Sequence, residues 1–253
     1  MSVSAARGGD KYESQDELHQ RPARLALQRI DAVRFIGAYA LLTALWFLLG
    51  KAILASDAVL RFDTDVSRWF VRHRTLRLNT LTEVGSALSA TTIKVAVTLV
   101  IIVVMYAVWR RWHEPAMVVL PLVLEAMTFI TVTWMVGRPR PDVARLETSP
   151  VDSSFPSGHA AAAVVYSAIV VVVFWHTRRV WVRLMFSVLA AYVALIVGLS
   201  RLYRGMHHLT DVLAGFALGA VSIAVSWWIL KTAMERSGNQ IEPTLMPDLA
   251  RSR

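Results

Sequence analysis

The chain has 253 residues, of which 55% are hydrophobic and 18% are charged, and its formal net charge is +9 at pH 7. A mean hydropathy of +0.48 is too high for an ordinary soluble domain and predicts an integral membrane protein. The absence of cysteine excludes disulfides, thiolate metal sites and a cysteine nucleophile. Nucleic acid is not a predicted partner, because most basic residues flank apolar segments instead of forming one face of a soluble domain.

Residues 1–30 are polar and mixed in charge, and six apolar segments follow them. Each segment is near the ~20 residues that a helix needs to cross about 30 Å of hydrocarbon. The predicted spans are Ala32–Ile53, Thr92–Trp109, Pro115–Val136, His159–His176, Val180–Leu199 and Asp211–Leu230. The sequence therefore predicts an all-α bundle of six transmembrane helices over residues 31–231. A disordered cytoplasmic tail is expected at 1–30 and a cytoplasmic C-terminal tail at 232–253.

The segment between the first two spans has an amphipathic pattern. Hydrophobic residues recur there at helical spacing with arginines between them: Phe62, Val66, Trp69 and Phe70 with Arg61, Arg68, Arg72 and Arg74. This pattern predicts a helix lying in the membrane interface on the exterior side, near anionic lipid. A partly folded loop is the alternative.

Two features predict how the spans pack. The link between the fourth and fifth spans is only Thr177-Arg178-Arg179, so these helices must be antiparallel neighbours. Gly215 and Gly219 form a GxxxG pair in the last span. In this context the pair favours a close helix contact inside the bundle over a dimer contact.

Basic residues in the short loops predict the orientation. The side that both termini share carries Arg110, Arg111, Arg178, Arg179 and Arg183. Because cytoplasmic loops are enriched in Lys and Arg, this side is predicted to be cytoplasmic, and we expect the protein in the plasma membrane. The exterior or periplasmic side also carries arginines, which need a chemical explanation: Arg138, Arg140, Arg145, Arg201 and Arg204.

Three polar clusters interrupt the apolar chain, and the six-span topology places all of them on the exterior face. They are Gly137–Asp142 after span three, Pro156–His159 at the start of span four, and Ser200-Arg201 with His207 and Asp211 between spans five and six. Each cluster alone has an ordinary structural interpretation, as a helix end, a helix start or a surface pair. Their convergence on one face predicts a functional site.

The residue types in these clusters fit phosphate chemistry. His207 and Asp211 are one helical turn apart, so the carboxylate can hold one ring nitrogen and leave the other as a nucleophile. His208 is three residues before Asp211, and helical geometry alone allows it in the same role. The helix start at His159, behind Ser157 and Gly158, presents free N–H groups to an anion, and glycine permits a close approach.

Other ionisable residues complete the pattern. Arg140 and Arg201 offer planar guanidinium groups that bind phosphoryl oxygens, which explains cations on the exterior face. Glu125 lies inside span three, where it is either functional or paired, or else a neutral, hydrogen-bonded carboxyl. Lys94 lies near a span end and is expected to extend to the interface. Five further histidines lie in tails, in interfacial segments or beside the third cluster, and most of them are expected to be solvated interface residues: His19, His73, His113, His176 and His208.

The clusters resemble the motifs of the type-2 phosphatidic acid phosphatase superfamily, which includes the lipid phosphate phosphatases and shares its site with vanadium haloperoxidases. The family patterns are KxxxxxxRP, PSGH and SRxxxxxHxxxD. The second is complete at Pro156-Ser157-Gly158-His159. The third is complete as Ser200-Arg201, five residues, His207, three residues and Asp211. The resemblance extends over about residues 62–230.

The first motif departs from the family pattern. Counting back from Arg140-Pro141 places Thr133 where the pattern has lysine, and counting from Arg138 places Thr131 there. Thr133 offers phosphate only a hydroxyl donor. Arg138 or Arg145 in the adjoining loop is expected to supply the missing charge.

The resemblance implies a covalent phosphohistidine mechanism that requires no metal or other cofactor. In it, His207 attacks phosphorus, Asp211 orients and charges His207, and His159 protonates the leaving oxygen before activating water. The implied ligands of the phosphoryl oxygens are Arg140, Arg201, Ser157 and the Gly158 amide.

The sequence therefore predicts a lipid phosphate or diphosphate phosphatase, acting on a polyprenyl diphosphate or phosphatidic acid at the exterior face. Its predicted partners are the lipid substrate and the bilayer. Two alternatives stay open. One is a lipid phosphotransferase, and the other is a catalytically weakened protein that binds or transports lipid phosphates, because the first-motif lysine is Thr133.

Overall fold

The computed structural model describes residues 27–88, 91–149 and 151–236. All regular secondary structure within these ranges is helical, which confirms the all-α prediction. The predicted N-terminal tail lies outside the described residues except for positions 27–30. Of the predicted C-terminal tail, residues 237–253 likewise lie outside them.

The helices of the described chain follow one another with short links. They are α1 Arg29–Leu54, α2 Asp57–Arg72, α3 Leu76–Ala87, α4 Thr91–Trp109, α5 His113–Val136, α6 Gly158–Val165, α7 Ala168–His176, α8 Val180–Tyr203 and α9 Leu209–Arg236. Within the described residues, six segments are long and apolar enough to cross a membrane, which agrees with the predicted number. They are α1, α4, α5, α6 with α7, α8 and α9. The fourth span is interrupted between α6 and α7 at Tyr166 and Ser167.

The segment between the first two spans contains the predicted amphipathic helix as α2, and a second helix, α3, that the hydrophobic pattern did not indicate. Each helix is capped at its N-terminus, because the side chains of Ser56 and Thr75 accept hydrogen bonds from Val59 N and Leu78 N. The α3 helix packs along α8. A Cβ atom at Gly85 would lie 2.3 Å from Ser200 Oγ, so glycine is what permits this close contact.

The centre of the bundle is formed by α5, α6 and α9. Its largest hydrophobic cluster includes Leu124, Val132, Phe155, Ala161 and Leu218, all of them fully or almost fully buried. The helix α1 adds Leu42, Trp46 and Ile53 to this cluster. On their other faces, α1, α4 and α8 expose many Leu, Ile and Val side chains. Such surfaces are expected where lipid chains replace water.

The GxxxG pair of α9 makes the predicted contact inside the bundle. A Cβ atom at Gly215 would lie 2.4 Å from the Ser157 carbonyl oxygen, and one at Gly219 would lie 2.5 Å from that of Ala161. Only glycine allows the backbones of α9 and α6 to approach so closely. This contact holds the start of α6 against the first turns of α9.

The long central helix α5 ends where the sequence stops helix formation. Gly137 adopts a left-handed conformation with φ of 63°, and its N–H donates to Thr133 O. Pro139 and Pro141 then prevent the helix from continuing. The chain after α5, the start of α6, the end of α8 and the start of α9 therefore meet at one end of the bundle, which we call the polar end.

At the opposite end, two histidines that were expected to be solvated are buried, so that prediction was wrong. His113 is 6% exposed and His176 is 8% exposed. His176 Nε2 lies 3.0 Å from Glu114 Oε1, and its ring stacks on Trp109. The short links at this end draw the helix termini together, which removes these rings from solvent.

The absence of cysteine allows a direct test of which side the polar end faces. Asp152 at the polar end and Arg178 in the link between α7 and α8 are both exposed. We expect Asp152→Cys to react with a membrane-impermeant maleimide in intact cells, and Arg178→Cys to react only after permeabilisation, as the arginine distribution predicts. The reverse pattern would place the polar end in the cytoplasm.

Candidate functional site

A cavity of about 220 Å³ opens at the polar end. It is lined by Lys94, Phe129, Arg140, Ser149, Val151, Ser153, Gly158, His159, Arg201 and His207. The fold thus brings five of the predicted site residues into one wall, from three separate sequence motifs. The remaining four, Ser157, Asp211, Arg138 and Thr133, are not part of the lining.

The ring of His207 is held by a backbone carbonyl. Its Nδ1 lies 2.7 Å from the Ser154 carbonyl oxygen. A carbonyl oxygen can only accept, so Nδ1 carries the proton and Nε2 keeps its lone pair. Ser154 is fixed in turn, because its N–H donates to Arg138 O at 2.8 Å and its hydroxyl to Pro139 O at 3.1 Å.

The expected direct hydrogen bond between His207 and Asp211 is absent from this structure. Asp211 Oδ2 lies 3.9 Å from His207 Nδ1, which is beyond hydrogen-bond distance. The carboxylate instead accepts from His208 N at 2.8 Å and from Arg138 Nη1 at 2.5 Å. In this structure, the Ser154 carbonyl therefore makes the contact that orients His207, and the Asp211 carboxylate lies beside the ring without bonding to it.

The electrostatic environment keeps His207 neutral. Burial, followed by the positive charges of Arg201 and Arg140, lowers the pKa of His207 well below its ordinary value of 6.5. The ring is therefore uncharged at neutral pH, with its one proton on Nδ1 and a free lone pair on Nε2, as a nitrogen nucleophile requires.

The neighbouring His208 is placed differently. It is absent from the cavity lining, and its Nδ1 is buried without a hydrogen-bond partner in the described part of the chain. Burial and then the charge of Arg138 lower the pKa of His208 to about 4. Of the two histidines that helical spacing alone allowed, His207 is the one that reaches the cavity.

His159 lies at the start of α6, on the cavity wall. Within residues 27–88, 91–149 and 151–236, its ring nitrogens have no hydrogen-bond partner, so they are available to a ligand. The Ser157 side chain, predicted to bind phosphate, is fully buried and accepts from Ala160 N as the helix cap. Ser157 N donates to Asp211 O at 3.0 Å, which joins the second motif to the third.

Arg140 is held at the cavity by neutral acceptors. Its guanidinium donates to the carbonyl oxygens of Val151, Ser153 and Met206, and to the hydroxyl of Ser149. Within the described part of the chain, no carboxylate contacts it. Its positive charge therefore remains available to an anion in the cavity.

Arg201 is paired with an acid that the sequence did not single out. Its Nη1 lies 2.5 Å from Glu147 Oε2 and 2.5 Å from Ser86 Oγ. Arg204 also contacts Glu147. Although burial alone favours the neutral acid, the two arginines hold the pKa of Glu147 below its ordinary value. No sequence signal marks Glu147, because it is a single acid in an irregular loop.

Arg138 was predicted to bind phosphate, and its contacts contradict that role. It is 1% exposed, and it bridges two carboxylates, with Nη2 2.7 Å from Asp63 Oδ2 and Nη1 2.5 Å from Asp211 Oδ1. The Thr210 hydroxyl accepts a hydrogen bond from Arg138 and donates one to Asp63. Asp63 was missed, although its position in the apolar stripe of α2, between Val59 and Val66, was a signal that it is buried.

Neither of the loop arginines expected to compensate for Thr133, Arg138 and Arg145, lines the cavity. Thr133 Oγ1 is buried without a hydrogen-bond partner among the described residues, away from the cavity wall. Arg145 is exposed and is not part of the lining. Lys94, expected to extend to the interface, forms part of the cavity wall instead. Sequence spacing cannot reveal this placement, because Lys94 lies on α4 and the three motifs lie on other segments of the chain.

Comparison with known proteins agrees with the motifs. Residues 116–235 match the model of the PAP2 superfamily. Phosphatidylglycerophosphatase B of Bacillus subtilis (strain 168) is 32% identical over 179 residues, which cover 69% of this chain and 86% of that protein. The chain belongs to the PAP2 superfamily. The predicted family is thereby confirmed.

Solved structures of PAP2 proteins share the fold. A transmembrane PAP2-type phosphatidylglycerolphosphate phosphatase from Bacillus subtilis superposes with a TM-score of 0.66 at 28% identity, covering 77% of this chain and 94% of that one. LpxE of Aquifex aeolicus shares the fold with a TM-score of 0.51 at 21% identity, covering 65% of this chain and 93% of that one. The protein is thus a membrane-embedded phosphoric ester hydrolase of the PAP2 lipid-phosphatase family.

The bridge at Arg138 predicts a stability effect that a phosphate ligand would not show. Arg138→Ala leaves the buried carboxylates of Asp63 and Asp211 without their cation, which is expected to cost about 3–5 kcal/mol of folding free energy. Arg145→Ala, in the same loop but exposed, is the matched control and should have little effect. Thermal unfolding of the purified proteins, followed by size-exclusion chromatography, compares them. Equal midpoints for both variants would contradict the structural role.

Proposed function

We propose that this PAP2 protein removes phosphate from a membrane lipid by covalent catalysis at His207, without a metal ion. The observation that supports this most strongly is the state of the His207 ring. Its Nδ1 proton is committed to the Ser154 carbonyl, and the ring lies on a cavity lined by cations. Nε2 is therefore a neutral nucleophile beside a site suited to an anion.

In the first step, the Nε2 lone pair forms a bond to phosphorus and the bond from phosphorus to the lipid oxygen breaks. We propose that His159 takes up a proton when the phosphate dianion binds and donates that proton to the departing lipid oxygen. The ring of His207 gains positive charge as the bond forms. The Asp211 carboxylate, 3.9 Å from Nδ1, stabilises that charge.

In the second step, His159, now neutral, removes a proton from water as the water oxygen attacks phosphorus. The bond from phosphorus to Nε2 breaks, and inorganic phosphate leaves. His207 returns to its neutral state and His159 has regained its proton, so the cycle closes.

Charge that develops on the phosphoryl oxygens is stabilised by groups already in place. The Arg140 guanidinium carries a charge that no carboxylate neutralises among the described residues, and the Gly158 amide is at the start of α6. These groups supply the electrostatic stabilisation that a metal ion gives in other phosphatases, and we therefore propose a metal-independent reaction.

We propose phosphatidylglycerophosphate as the first substrate to test, because the Bacillus subtilis relative that matches 69% of this chain is named phosphatidylglycerophosphatase B. Phosphatidic acid and a polyprenyl diphosphate remain further candidates. The cavity is small and lies at the bundle end, which suits a phosphorylated headgroup whose acyl or prenyl chains stay in the bilayer. We place this end on the exterior of the plasma membrane, with both termini in the cytoplasm.

The proposal of a weakened binding protein rested on the missing cation at Thr133. Lys94 in the cavity wall restores a cation to the site, and so we propose an active enzyme.

Hydrolysis and phosphotransfer share the same phosphohistidine. They differ in whether phosphate appears in water or on an acceptor lipid.

The decisive experiment measures the products formed by purified wild-type protein from phosphatidylglycerophosphate, phosphatidic acid and polyprenyl diphosphate in separate reactions. We expect inorganic phosphate from at least one lipid, with no added metal and with chelator present. Phosphate recovered only on a second lipid would establish phosphotransfer. No turnover of any of the three would contradict the proposed phosphatase.

The two adjacent histidines give a matched pair of variants. His207→Ala, His159→Ala and Asp211→Asn should each lower kcat/KM by at least ~10²-fold, because each removes part of one chemical unit. His208→Ala should retain most activity, since its ring lies outside the cavity. Loss of activity in His208→Ala with activity retained in His207→Ala would show that the nucleophile is assigned wrongly.

A further inference from the structure

Lys94 is a charged residue in the first turn of α4, on a segment apolar enough to span the membrane. An ionisable side chain in such a segment is costly, and it is retained where it has a role in the protein interior. Here the side chain is half-buried and forms part of the cavity wall with His159, His207, Arg140 and Arg201. Its position therefore points to the site and away from lipid.

The other two cations in the cavity wall are already engaged by the protein. Arg140 donates to carbonyl and hydroxyl oxygens through all three of its nitrogens. Arg201 is bound to Glu147 and Ser86. Within the described residues, the Lys94 ammonium has neither a hydrogen bond nor an ion pair. Its three donors are thus free to bind a ligand.

We propose that Lys94, from the second span, binds a non-bridging oxygen of the phosphoryl group that the enzyme transfers. This inference rests on the proposed function, and it names the cation that replaces the one Thr133 cannot provide. Thr133 lies on α5, outside the cavity wall, whereas Lys94 reaches the same cavity from the neighbouring helix α4. The family pattern has its lysine at the position of Thr133 on α5, whereas the proposed phosphate-binding lysine of this chain lies on α4.

The length of a lysine side chain suits this role. Its four-carbon stem lets the ammonium approach an oxygen from the cavity wall while the backbone remains in the apolar part of α4. Lys94 and His159 line the same cavity. A phosphoryl group that is bound in this cavity beside His159 is therefore also exposed to the positive charge of Lys94.

A purely structural role for Lys94 would require a partner inside the protein. One candidate is the acid Glu125, which is buried on the neighbouring helix α5. The two side chains form no ion pair, and Glu125 Oε2 has no hydrogen-bond partner among the described residues. The contacts therefore do not make Lys94 the counter-ion of Glu125.

The test combines direct binding with turnover. Binding of inorganic phosphate is measured by isothermal titration calorimetry, and kcat/KM is measured on the lipid that the wild type hydrolyses. Lys94→Met should weaken phosphate binding at least ~10-fold and lower kcat/KM by ~10- to 100-fold, as expected for one charge-assisted contact. Lys94→Arg, which keeps the charge, should recover most of both losses.

Matched variants keep the outcome interpretable. Lys51→Met removes an exposed lysine near the same end of the bundle and should change neither quantity. Glu125→Gln should also change neither. Lys94→Gln, which stays polar, replaces Lys94→Met if the latter elutes as an aggregate. Unchanged phosphate binding and kcat/KM in folded Lys94 variants would overturn the inference, as would equal losses in Glu125→Gln. Failure of the proposed function appears separately, as a wild type that releases no phosphate from any lipid.

Discussion

The arrangement of the polar end depends on one buried guanidinium. Arg138 contacts Asp63 on α2 and Asp211 on α9, and all three side chains are removed from solvent. A charge buried this deeply is tolerable only when it is paired on both sides. Because Ser157 N donates to the Asp211 carbonyl, the same junction also fixes the start of α6 and so the position of His159. Arg138 thus organises the site without lining its cavity.

The proposed reaction places two electrostatic requirements on the site. His207 must stay neutral to act as a nucleophile, and burial together with the nearby arginines achieves this. The phosphoryl group needs positive charge, and we propose that it comes from the cations on the cavity wall, Arg140, Arg201 and Lys94. In the proposed reaction, Arg140 and Arg201 would therefore both attract the anion and keep the His207 ring neutral.

The sequence predicted the six spans and the convergence of three motifs, because hydropathy and residue spacing within one helix are local properties. The orientation of one helix relative to another is not local. Lys94 on α4 was therefore assigned to the interface, and Arg138 to the phosphate. The contact between His207 and the Ser154 carbonyl could not be predicted either, because every residue has a backbone carbonyl and the sequence does not mark which one is used. Asp63 was detectable in principle, as an acid within an apolar stripe.

The central claim is that His207 carries the phosphoryl group during turnover. The most direct measurement mixes the purified enzyme with its lipid substrate, stops the reaction in base, where phosphohistidine survives, and locates the added phosphate by mass spectrometry of peptides. The account predicts a phosphorylated peptide with the modification on His207, formed within one turnover. Phosphate on His208 or His159, or steady turnover with no phosphorylated histidine at any time, would contradict it.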